Sequence, residues 1–69
     1  VSESLGEALP REMTRVRDEI MPMYISIGPP GAMALALMRN ELDRAQKAMS
    51  EGDVIAMMRC YESLKGYTS

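Results

Sequence analysis

From Ala32 to Met38 every side chain is apolar, and nothing else constrains the fold of this chain as tightly. A helix on the surface of a small protein carries polar residues on its outer face. These two turns have none. The run therefore predicts a helix enclosed on all sides, by its own chain or by a second copy.

The chain has 69 residues, which allows one domain. Domains this small hide only about 60% of the surface of the unfolded chain and need extra support. A disulfide within the chain is excluded, because Cys60 is the only cysteine. Zinc held by the usual ligands is excluded with it, since there is no His. Good packing or oligomerisation remains. The packing material is rich in methionine, with 8 Met and neither Phe nor Trp. Methionine fills irregular cores and serves equally at adaptable binding surfaces. Net charge is −2, which gives no pull toward nucleic acid or anionic lipid. No stretch approaches the ~20 apolar residues of a membrane span, and no leader sequence is evident. A single thiol without an export signal predicts a cytoplasmic location. The chain opens on Val1, so its natural start is not fixed by the sequence.

Residues 1–8 read as a flexible N-terminal arm, with Ser4 and Glu7 at capping-box spacing. Pro10 suits the first turn of a helix. Leu9, Met13, Val16, Ile20, Tyr24 and Ile27 then fall on one helical stripe. Pro22 interrupts it and predicts a kink. Gly28-Pro29-Pro30-Gly31 ends helix 1 and opens helix 2, which runs to about Ser50. Leu35, Met38, Leu42, Ala45 and Met49 form its inward stripe. Arg39, Asp43, Lys47 and Glu51 form a solvated outer face. Gly52 caps helix 2. Asp53 caps helix 3 by accepting from Ile55 or Ala56. Helix 3 carries Val54, Met57, Met58, Tyr61 and Leu64 inward, with Ile55 and Cys60 flanking. Gly66 stops it. The fold predicted is all-α: a three-helix bundle, kinked at Pro22 and completed by dimerisation. A single helical domain spans 9–66, and 67–69 is a tail.

Ala45, Ala48, Gly52-Asp53, Tyr61 and Leu64 together resemble one helical hairpin of a tetratricopeptide repeat. The likeness covers about a third of the chain. Met57 and Leu64 stand where that family usually has small residues, no Pro follows, and there is no second copy, although such arrays need about three. The resemblance implies a shared helix–Gly-Asp–helix turn and no particular function.

Little here suits catalysis. The commonest general base, His, is missing. Cys60 follows Arg59 but falls mid-helix, away from the N-terminal position that activates a thiol. Asp18 with Glu19, and Glu41 with Asp43, are not stacked as acid pairs or metal ligands. The Gly28–Gly31 loop has two prolines where a phosphate cradle needs donors. No catalytic, cofactor or metal site is predicted. The function expected is a noncatalytic interaction module that self-associates, as a homodimer, through Met21, Met23, Ile25, Met33, Leu35, Leu37 and Met38. One alternative is a small nucleic-acid-associated regulator using Arg11, Arg15 and Arg17, with Glu12, Asp18 and Glu19 diluting their field. Another is an inhibitor or adaptor docking on a larger protein.

Overall fold

The computed structural model describes residues 4–68. They form an all-helical fold, with no strand among the described residues. The elements are α1 (Leu5–Arg15), a π-helical turn (Val16–Ile20), α2 (Met21–Ser26), a 3-10 turn (Pro29–Gly31), α3 (Ala32–Glu51) and α4 (Val54–Lys65). The first three run on without a break, so the chain makes three helical rods. α3 and α4 pair as a hairpin. The first rod lies across it, with α1 against α4 and α2 against α3.

Helix 1 begins earlier than expected. The predicted arm is helical from Leu5 onward, and Val1 to Glu3 lie outside the described residues. The Ser4 hydroxyl makes no cap; its backbone carbonyl accepts from Glu7 and Ala8 instead. Pro10 sits inside the helix and withholds the donor that the Gly6 carbonyl would use. Gly6 is exposed, so water can serve that carbonyl. The gain is the burial of Ala8 and complete burial of Leu9, about 1.5–3 kcal/mol for the leucine alone.

At Pro22 the rod neither breaks nor restarts. The Met21 N–H bonds to the Val16 carbonyl, five residues back. Pro22 thus follows a wide turn, one of the recognised ways a helix accommodates an interruption.

The connection to α3 is tight. Gly28 has φ 75 and ψ −146, a region that side-chain-bearing residues avoid. A Cβ on Gly31 would strike the Tyr24 carbonyl oxygen, so only glycine allows this close crossing of α2 and α3. At the other end, Gly52 is left-handed (φ 67, ψ 26). Its N–H reaches the Met49 carbonyl, and the Asp53 N–H reaches that of Ala48 at 3.0 Å. This pair of bonds is the Schellman closure. Asp53 then caps α4 by accepting from the Ala56 N–H at 3.1 Å.

The core joins Leu9, Val16, Ile20, Met21, Leu35, Met38, Ala45, Cys60 and Leu64. α3 is oriented as expected, with Ala48 also buried. α4 is not: Cys60 is buried while Val54 and Met58 face out. Its inward stripe is Met57, Cys60, Tyr61 and Leu64. Residues 54–58 are apolar on every side, so periodicity alone cannot choose the face. Of the expected tail, Tyr67 packs on the core and its N–H bonds to the Leu64 carbonyl, while Ser69 lies outside the described residues.

Candidate interaction surface

The chain's own residues do not enclose the run at 32–38 on all sides. Leu35 and Met38 are buried in the chain's own core, Ala34 is half-buried, and Ala32, Met33, Ala36 and Leu37 are exposed. Once Leu35 and Met38 face inward, a period of about 3.6 residues turns Met33 and Leu37 outward, one turn apart. They are 77% and 55% exposed.

The seven residues expected to mediate self-association therefore divide. Leu35, Met38 and Met21 are consumed by the core. Met23, Ile25, Met33 and Leu37 remain exposed, and Ile27, expected inside, joins them at 56%. Gly28 to Gly31 is the only break between α2 and α3. These five side chains therefore flank the turn from α2 to α3: Met23 and Ile27 share one side of α2, Ile25 lies about 160° around from them, and Met33 and Leu37 share one side of α3. Met23 and Ile27 also border a small cleft of about 120 Å³ with Tyr24 and Thr68.

No charged residue occurs between Ile20 and Met38. All the lysine, arginine, aspartate and glutamate of the chain lies outside this stretch. The exposed patch is thus apolar and electrically blank.

A second exposed pair, Val54 and Met58, lines a cleft of about 600 Å³ with Leu5, Ala8, Tyr61 and Glu62. It lies between α1 and α4.

The three arginines of helix 1 do not form a free basic face. Arg15 donates through Nε to Glu12 and through Nη2 to the Leu64 carbonyl, both at 3.0 Å. Arg17 pairs with Asp18 at 3.0 Å on the exposed surface, and this neighbour raises its pKa above the ordinary value. Arg11 shares a shallow depression with Glu12, Asp18 and Glu19. Acid and base thus alternate over the whole face.

Cys60 is buried and unpaired. Burial pushes its thiol pKa up, and the neighbouring Glu41 carboxylate pushes it further, against a smaller opposing pull from Arg44. A thiol held protonated is a poor nucleophile. Among the described residues no three His, Cys, Asp or Glu side chains come together as a metal site. No helix among the described residues is long and apolar enough to cross a membrane. In the Gly28–Gly31 loop the Gly31 N–H is spent on the Gly28 carbonyl at 2.9 Å.

Comparison with family models, characterised proteins and solved structures gives no match to this chain. The tetratricopeptide likeness accordingly stops at the α3–α4 turn.

Proposed function

We propose that this chain is a noncatalytic helical interaction module that pairs with a second copy of itself. The observation that carries the reading is the set of exposed apolar side chains Met23, Ile25, Ile27, Met33 and Leu37, which flank the α2–α3 turn in a stretch without charge. A two-fold interface sets the same patch against itself. A charged patch would repel its copy; this one has no charge to repel. The second copy's rods would complete a helical bundle over this turn.

A nucleic-acid role has less support, because Arg15 and Arg17 are engaged within the chain. A different protein seated on the same patch is the competing occupant. The buried, unpaired Cys60 suits a reducing cytoplasm.

Sedimentation equilibrium across the micromolar range tests the reading. Pairing predicts a mass rising from 7.7 kDa toward twice that value as concentration increases. A mass of one chain at every concentration removes it and leaves the patch to a foreign partner.

A further inference from the structure

The first rod carries apolar residues for two different helical phases. In an unbroken α-helix, at about 100° per residue, Ile27 returns to the azimuth of Leu9 after about five turns. Met23 then lies within about 40° of that line, while Met21 is turned about 120° away. The observed burial is the reverse. Met21 is 8% exposed and in the core, whereas Met23 and Ile27 are 45% and 56% exposed.

The π turn accounts for the reversal. Its five-residue bond from Met21 to Val16 adds about one residue to the turn and so delays the phase by about 100°. Met21 is thereby brought to within about 20° of Leu9. Met23 and Ile27 are carried outward. Tyr24 lies near the edge of the core in either phase, about 60° to one side or 40° to the other. It is half-buried, as both phases require.

Pro22 selects between them. In a continuous α-helix its ring would meet the Asp18 carbonyl, and it has no N–H to offer there. The wide turn immediately before it relieves both demands. Downstream, Gly28 can act as the swivel. It already has positive φ, and no heavy atom lies within 4 Å of the place a Cβ would take.

We infer that Pro22 and the π turn form a register switch that decides whether the Met23/Ile27 pair faces solvent. In the wide register Met21 fills the core and the pair is displayed. In the alternative, α-helical through 16–27, Met21 turns outward while Met23 and Ile27, farther along the rod, turn toward the line of Leu9 and the pair is withdrawn. The register itself does not depend on self-association; only its use as a control of pairing rests on that reading.

The test uses the full chain, kept below any association threshold, with labelled methionine and isoleucine methyls and a soluble paramagnetic chelate. The wild type is expected to show strong broadening at Met23 and Ile27 and little at Met21. Pro22→Ala frees the α register, so Met21 should broaden strongly while Ile27 becomes shielded. Pro22→Ala combined with deletion of Asp18 removes the extra residue and should restore the wild-type pattern. An unchanged pattern in a folded Pro22→Ala chain overturns the switch. If that variant does not fold, methyl relaxation dispersion on the wild type decides: a single register at Met21 and Ile27 supports selection by Pro22, and microsecond-to-millisecond exchange at both overturns it. Sedimentation of the same samples separates the two readings. A register change in a chain that never pairs retains the switch and removes dimerisation; pairing without a register change does the opposite.

Discussion

Arg15, on α1, donates from Nη2 to the main-chain carbonyl of Leu64, on α4, at 3.0 Å. That carbonyl lies in the last turn of α4, where helix carbonyls lack partners and a cation is favoured. Tyr67 supplies a second donor to the same oxygen. Arg15 also holds Glu12 through Nε, with side chains 27% and 13% exposed. One guanidinium thus joins the first rod to the end of the last.

Replacing Arg15 with Ala should therefore cost stability. A hydrogen bond to a charged group contributes about 1.5–3 kcal/mol when buried. With partial exposure, we expect about 1–2 kcal/mol. In a domain of this size each kcal/mol lowers Tm by roughly 4–8 °C. Lysine should not rescue it, because one ammonium lacks the fork that reaches Glu12 and Leu64 together. Thermal and urea melts of the two variants check this. A Tm unchanged in Arg15→Ala would show the clamp to be idle.

Leu37 and Met38 are sequence neighbours with opposite fates. Leu37 is 55% exposed and Met38 is fully buried. Leu37→Glu is expected to leave the melting of the isolated chain nearly unchanged, within about 0.5 kcal/mol as for most surface changes, and to abolish pairing. Met38→Ala should cost about 2–5 kcal/mol by opening a cavity. Circular-dichroism melts at low concentration, beside sedimentation at high concentration, separate the effects. A Leu37→Glu chain that still pairs would move the interface elsewhere.

What could be read from the sequence was local chemistry. Gly52-Asp53 and Gly28 to Gly31 announce their turns because positive φ, missing donors and side-chain caps act within a few residues. The inward stripe of α3 was legible too, since Arg39, Asp43 and Lys47 mark its outer face. Tertiary effects were not legible. Pro10 argues for a helix start, but the burial of Leu9 carries the helix through it. Ile27 falls on the core stripe only if every turn is α, and one π turn rotates it out. Val54 to Met58 is apolar all round, so the choice of Cys60 as the buried residue belongs to the α3–α4 contact. Of the residues expected at the candidate surface, Met21, Leu35 and Met38 belong instead to the core, because the π turn and the phase of α3 set their faces.

The Cys60 thiol, with its pKa raised chiefly by burial and then by Glu41, makes a prediction in pH. The folded chain keeps its proton at pH values where the unfolded thiol, ordinarily near 8.5, has lost it. Stability then falls as pH rises through and above that value, because the unfolded state binds fewer protons than the folded one. Cys60→Ala should lack this component. The stability difference between wild type and Cys60→Ala, measured by urea unfolding under reducing conditions, should shrink as pH is raised from 7 to 10. Thiol labelling of the folded wild type should also be slow until it unfolds. A difference independent of pH would place the thiol in an ordinary environment.

The α3–α4 turn offers the last test, because two independent devices act on adjacent residues. Gly52 holds φ 67, a conformation that costs a residue with a Cβ about 1–2 kcal/mol. Asp53 satisfies the Ala56 N–H, and loss of such a cap costs about 0.5–2 kcal/mol. Gly52→Ala and Asp53→Ala should each lower stability by about 1 kcal/mol, whereas Asp53→Asn, which keeps an acceptor, should lower it less. The double variant reports on cooperation. Near-additive losses, within about 0.5 kcal/mol, mean that the left-handed closure and the α4 cap stabilise separate helix ends. A double loss no larger than either single loss would mean instead that the two residues hold one shared geometry.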